Sequence, residues 1–278
     1  MRTTALSISA SICICLLCAC VAPALGGDWQ KLADGFEIAW FASSDSTDSD
    51  SMLTIVRVDA KKHKLMFLSV PDSDSAQNIS VRKWCEIEQL ALAINGGMYD
   101  DDMRTHIGVV QADGKIISKH RNKYKSAVAW NPKEDGLPHF RLYDLDEVEL
   151  DSLLRQYDNV VQNLRLIKRD RDNRWEPDRG HKWTEAALVE DSAGNALFIL
   201  CRTPMTMYEF NERILALPLG IVAAQHLEGG VQTQVCIRVG EYSEAISGGF
   251  ESRMDTTGET DFFFKLPHVI GVRLSPEE

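Results

Sequence analysis

The chain lacks an apolar run long enough for a bilayer: its longest, residues 8–21, falls short of the roughly 20 residues that a spanning helix needs. It lacks a basic surplus as well. Thirty Lys plus Arg stand against 41 Asp plus Glu, a formal net charge of −11, so there is no electrostatic footprint for a phosphate backbone and no nucleic-acid partner is expected. No G-x-S-x-G, G-x-x-x-x-G-K-[ST] or H-E-x-x-H occurs, and no C-x-x-C follows Cys20. Those absences disfavour nucleophile-elbow serine hydrolases, nucleotide enzymes and the common zinc sites. Asp45, Asp48 and Asp50 sit in a serine-rich run at 43–51 without the glycine and terminal glutamate of a calcium loop, so neither a metal nor another cofactor is expected. No proline-rich or glycine-rich linker divides the chain, which predicts one domain over 27–278. What is present, 44% hydrophobic and 26% charged residues, is enough to bury one sizeable core.

Residues 1–26 read as a secretion signal: Arg2, an apolar stretch, then Ala22-Pro23-Ala24 with the small-x-small pattern of a cleavage site. Leu17-Cys18-Ala19-Cys20 resembles the bacterial lipobox, departing from it at Cys18. The protein is therefore expected to be exported to the periplasm or outer envelope, with membrane contact only through a lipid on Cys20. Simple export with cleavage after Ala24 is the favoured reading over a lipid on Cys20, and leaves Cys85, Cys201 and Cys236. Three cysteines allow one disulfide and one free thiol, or three small buried hydrophobes.

The periodicity is mostly that of strands. Residues 36–41, 52–58 and 65–70 have strand length and apolar patterning, and Asp113-Gly114 marks a tight hairpin between 107–111 and 115–118. A second hairpin is expected at 187–190 and 196–201. Residues 79–90 carry helical spacing behind Asn78 and Ser80 as candidate caps, and 205–217 form an amphipathic helix stopped by Pro218 and Gly220. Strand, helix and strand from 196 to 227 suggest a parallel crossover. The expected fold is α+β: one domain with a twisted mixed, mostly antiparallel sheet flanked by helices.

Two glycine pairs follow apolar strands: Leu92-Ala93-Ile94-Asn95-Gly96-Gly97-Met98 and His226-Leu227-Glu228-Gly229-Gly230. A polar side chain and two glycines at a strand end expose backbone N–H groups and remove the Cβ atoms that would block a ligand. Together, with Tyr99, Ile107-Gly108, Gln162-Asn163 and the strand Trp183-Thr184-Glu185-Ala186-Ala187-Leu188, they resemble the phosphodiester glycosidase family. The chain from about 90 to 237 is similar to the N-acetylglucosamine-1-phosphodiester α-N-acetylglucosaminidase-like domain, as a divergent member. Asn95-Gly96-Gly97-Met98 matches the family's N-G-G-[FM], and Leu227-Glu228-Gly229-Gly230 its L-D-G-G.

The resemblance implies hydrolysis at the anomeric carbon of a sugar whose C1 oxygen lies in a phosphodiester, with a carbohydrate phosphodiester as substrate. It implies catalytic roles for Glu228, Asn95 and Thr184, and substrate binding by Gly96, Gly97, Gln162, Asn163, Arg165, Gly229, Gly230 and His106. Glu228 replaces an aspartate, Trp183 an arginine, and Leu164-Arg165 a Gly-Pro. A catalytically impaired protein that binds an envelope glycan or a partner through the same cleft is the alternative. The basic stretch 165–182 reads as a solvated, self-compensating loop, with Arg165 or His181 as candidates for the missing arginine. Asp100-Asp101-Asp102 reads as an exposed turn, and His226 as a packed residue beside the second glycine pair.

Overall fold

The computed structural model describes residues 27–43, 52–70, 77–177, 180–249 and 263–276. The expected signal at 1–26 and the serine-aspartate run, apart from Ser43, lie outside the described residues.

Three sheets meet at one core. The largest has eight strands in the order Gln30–Ala33, Phe36–Ala42, Met52–Val58, Ala196–Met205, Trp183–Asp191, Ile221–Gly229, Arg165–Lys168 and Asp172–Asn173. A second runs Lys115–Lys119, Val109–Ala112, Tyr157–Asn163, Ser126–Pro132 and Phe140–Asp144. The third runs Tyr242–Ser247, Gln234–Val239, Leu92–Asn95, His268–Arg273 and Lys64–Ser69.

Side chains alternate between faces along a strand, and both faces of the large sheet are apolar. Phe36, Ile38, Val56, Leu188, Phe198 and Leu200 face the common core, where they meet Trp130, Phe140 and Val161 of the second sheet and Leu92, Ile94 and Ile270 of the third. Their neighbours Ala39, Leu53, Ile55, Val189, Leu197 and Ile199 turn the other way and pack on Phe210 and Ile214 of the helix Met207–Ala216. Each such side chain contributes roughly 1.5–3 kcal/mol on burial. The helix Val81–Ile87 covers the outer face of the third sheet through Val81, Trp84 and Cys85. The helix Leu150–Gln156 does the same for the second through Leu150 and Leu153. No described helix is long and apolar enough to cross a membrane.

Several local expectations correspond to what forms. Asp113 (φ 46°) and Gly114 (φ 74°) close the hairpin between Val109–Ala112 and Lys115–Lys119, the paired positive φ values that a two-residue turn requires. Ser80 caps its helix by accepting from the Lys83 N–H, and Thr206 caps the helix Met207–Ala216 in a reciprocal box with Glu209.

The mixed sheet is a correction. Every strand pairing among the described residues is antiparallel, and there are three sheets where one was expected. The crossover from Ala196–Met205 through the helix to Ile221–Gly229 does join strands that run the same way. Trp183–Asp191 lies between them, however, and pairs antiparallel to both. The order strand, helix, strand does set the two strands in one direction, but spacing along the chain does not show that Trp183–Asp191 inserts between them. The helix Leu150–Gln156 and the strands Ser126–Pro132, Phe140–Asp144 and Tyr157–Asn163 had no counterpart in the sequence expectation.

Candidate active site

The two glycine turns meet at the ends of their strands. Asn95 closes a central strand of the third sheet, and its Oδ1 accepts from the Gln234 N–H at 3.2 Å. Because Gln234 follows the Gly229–Gly230 turn, this one side chain joins the two motifs. Thr184 holds the second turn from the other side: its Oγ1 donates to the Gly230 carbonyl at 2.8 Å. Thr233 Oγ1 lies within bonding distance of the Thr184 and Glu228 carbonyls, at 3.2 and 2.9 Å. Thr184 thus stands at the site, with its hydroxyl engaged in shaping the turn.

Gly97 adopts φ +127°, and a Cβ there would stand 2.4 Å from Asn163 Nδ2 and 2.6 Å from His106 Nε2. Only a residue without a side chain lets the main chain approach both groups. His106 accepts the Gly108 N–H on Nδ1 at 2.9 Å, so the neutral ring carries its proton on Nε2. Burial pushes His106 down to about 4, with the nearby polar groups of Gly108, Gly96 and Asn163 opposing the fall. His268 lies 5.1 Å from it, ring to ring, and also contacts Phe67 and Tyr99. Burial, then the neighbouring His106, holds His268 well below its usual value. Both imidazoles are neutral at physiological pH.

An unusual number of buried polar atoms here have no hydrogen-bond partner: Asn95 Nδ2, Tyr99 Oη, His106 Nε2, both side-chain polar atoms of Asn163, and both ring nitrogens of His268. Each such group costs roughly 1–3 kcal/mol when left unpaired. Seven such atoms gather beside the two glycine turns, where their hydrogen-bonding capacity is not used by the protein itself.

Glu228 borders this cluster. Its Oε1 accepts the Gly229 N–H at 3.0 Å, and burial raises its pKa against the opposing pull of His226 and that N–H. Burial pushes the Tyr99 phenol up to about 12, with Glu228 adding to the rise and Gln232 opposing it. Tyr124 is raised by burial and by Glu228 too, so both phenols remain protonated donors beside the carboxylate. Behind it, His226 Nδ1 sits 3.1 Å from Glu185 Oε2, both side chains almost wholly buried. Burial alone would lower His226, but Glu185 and then Glu228 outweigh it and the net shift is upward.

Other expected residues serve the scaffold. Gln162 accepts the Val109 N–H at 3.2 Å and donates to the Tyr124 carbonyl at 3.0 Å. The Gly96 N–H donates to the His268 carbonyl at 3.2 Å. Arg165 is held by Asp144 and Asp146 at 2.7 and 2.9 Å, so its guanidinium is not brought to the cluster. The basic stretch is not the self-compensating loop expected: Arg165–Lys168 and Asp172–Asn173 are strands, and its charges are met mostly from outside it, Lys168 by Asp144 and Glu147, Arg169 by Glu190 and Lys182 by Glu209, with Arg174 meeting Asp172 inside it. His181 packs against Trp183, which is 37% exposed beside Gly230. Asp102 folds back onto the Arg104 and Thr105 N–H groups in an exposed turn. Among the described residues, no group of three or more His, Cys, Asp or Glu is placed to hold a metal. Sequence reasoning missed Glu185, Tyr124 and His268. Glu185 adjoins Thr184 in the strand already singled out, whereas Tyr124 and His268 lie in segments without a local spacing signal.

The profile of the phosphodiester glycosidase family matches residues 88–273. Among solved structures, the chain is similar to the zebrafish N-acetylglucosamine-1-phosphodiester alpha-N-acetylglucosaminidase catalytic domain, auto-inhibited by its pro-peptide. That likeness has 12% identity and a TM-score of 0.61, over 90% of this chain and 87% of that one. A hypothetical protein from Synechocystis aligns at 12% identity and TM-score 0.55, over 92% and 64% of the two chains. A putative exported protein from Burkholderia pseudomallei aligns at 9% and 0.51, over 84% and 74%. At these identities the likeness is one of fold. No curated protein matches the sequence.

Proposed function

Because the chain belongs to the phosphodiester glycosidase family, we propose that it hydrolyses the bond between a sugar's anomeric carbon and a phosphodiester in an envelope glycan or glycolipid. The convergence of unpartnered polar groups at the two glycine turns carries this reading. A hydroxyl-rich sugar and an anionic leaving group need many hydrogen-bond donors, and Asn95 Nδ2, Asn163 Nδ2, the Tyr99 hydroxyl and the His106 Nε2–H supply them without a fixed positive charge.

In the proposed reaction the C1–O bond breaks with its electron pair leaving on the phosphate ester. That anion needs less proton donation than an alkoxide would. Water attacks C1 and passes a proton to the Glu228 carboxylate, which also faces the positive charge developing at C1. Gly97 and Gly230 keep the approach open, and His106 and Asn163 orient the sugar or the phosphate.

The test is release of reducing sugar from a chromogenic-alcohol phosphodiester of N-acetylglucosamine 1-phosphate. Release supports the assignment. Saturable binding of the same compound without release supports instead a glycan-binding protein of the same fold. We place the protein outside the cytoplasm on its N-terminal pattern; intact mass of the purified protein tells acylated Cys20 from cleavage after Ala24.

A further inference from the structure

Two cysteines meet away from the cleft. Cys85 on the helix Val81–Ile87 and Cys236 on the strand Gln234–Val239 share one buried cluster with Trp84, Ala93 and Val269. Cys85 Sγ donates to the Cys236 carbonyl at 3.5 Å. A sulfur that already reaches its partner's main chain is compatible with the Cα separation of about 4.4–6.8 Å that a disulfide spans. The two thiols also interact with each other, which raises Cys85 and lowers Cys236, and Arg238 and Arg82 add to the lowering. A groove of about 500 Å³, lined by Arg82 and Arg238 and by Glu86 and Glu244, leads to Cys236. A second groove, on the other side of Arg238 and Glu86, reaches Cys85. Cys201 differs: it lies on the far face of the large sheet, donates to the Thr203 carbonyl, and is pushed up to about 12 by burial.

We propose that Cys85 and Cys236 form a dithiol site that reacts with small-molecule disulfides, Cys236 attacking and Cys85 resolving. Arg238 and Arg82 beside Cys236 favour its thiolate. That thiolate attacks one sulfur of glutathione disulfide, whose S–S bond breaks and releases one glutathione thiolate. Cys85 gives its proton to solvent and attacks the Cys236 sulfur, releasing the second glutathione. Two protein thiols lose two electrons and two protons, and one small disulfide becomes two thiols. The new bond ties the helix to the strand that begins with Gln234, the residue that holds Asn95.

Trypsin places the three cysteines in separate peptides, 84–104, 183–202 and 214–238. The test is a non-reducing peptide map of the full chain after incubation with glutathione disulfide. The expected result is 84–104 linked to 214–238, with 183–202 unlinked. In Cys85→Ser a glutathione adduct is expected to persist on Cys236, because the resolving thiol is gone. Free alkylation of all three peptides, a link through 183–202, or an adduct that settles on Cys85 in Cys236→Ser while Cys236 stays unmodified in Cys85→Ser would overturn the proposal. The wild-type map reads the outcome even where a variant fails to fold, and no arm depends on glycosidase activity.

Discussion

Replacing Glu228 by Gln removes a charge while keeping the oxygen that accepts the Gly229 N–H at 3.0 Å, so it isolates electrostatics from shape. A positioned acid–base group contributes typically about 10²–10⁴-fold, and kcat for sugar release is expected to fall by that much. Glu228→Asp instead draws the carboxylate back by one C–C bond, about 1.5 Å. Misplacement of that size costs on the order of 100-fold. Since the ionised carboxylate is the active form and burial raises its pKa above 4.5, the acid limb of the wild-type pH profile should lie above the ordinary glutamate range and vanish in the Gln variant. The sign for stability is opposite. A carboxyl whose folded pKa is raised stabilises fully below its unfolded value, and that contribution is lost as pH climbs through the folded one. Ionised Glu228 therefore weakens the fold, and Glu228→Gln should raise Tm while slowing turnover. Turnover of the phosphodiester unchanged in Glu228→Gln would refute the assignment, and release by Glu228→Asp alone would show a backbone set for the shorter acid.

Neighbouring amides should behave in opposite ways. Asn163→Leu removes two unpartnered polar atoms and is expected to leave chemical-denaturation stability equal or higher while substrate affinity falls, whereas Gln162→Leu loses its bonds to Val109 and Tyr124 and should cost about 1–3 kcal/mol. Gly97→Ala places a methyl 2.4 Å from Asn163 Nδ2 at φ +127°, for an expected loss of about 1–3 kcal/mol and a blocked cleft, read by urea unfolding and ligand titration. Glu185→Gln breaks a buried pair and should cost about 3–5 kcal/mol. His226 is raised above 6.5 in the fold, so wild type should lose the stability linked to it as pH rises through that folded value. A Tm series across pH will show this step moving to lower pH in Glu185→Gln. Phe198→Ala, in the core common to the three sheets, should cost about 3–5 kcal/mol by urea unfolding.

The sequence alone determined the local events, because their causes are local. Asp113-Gly114 requires positive φ at adjacent residues, Thr206 and Glu209 cap one helix turn, and strands such as 52–58 declare themselves through an apolar run bounded by polar clusters. Asn95-Gly96-Gly97 and Glu228-Gly229-Gly230 were legible as turns at strand ends, since two glycines after an apolar strand state what that backbone must do. Tertiary structure decided what depends on neighbours distant in the chain. The order strand, helix, strand from 196 to 227 sets two strands in one direction, but Trp183–Asp191 inserts between them and pairs antiparallel to both, which spacing along the chain does not reveal. The same holds at the site. Arg165, adjacent to a family segment, is drawn off by Asp144 and Asp146, while His268 and Tyr124 arrive from remote segments to complete the cluster. Whether a polar side chain is free for a ligand depends on which partners reach it first, and those partners are set by the packing of sheets rather than by spacing along the chain.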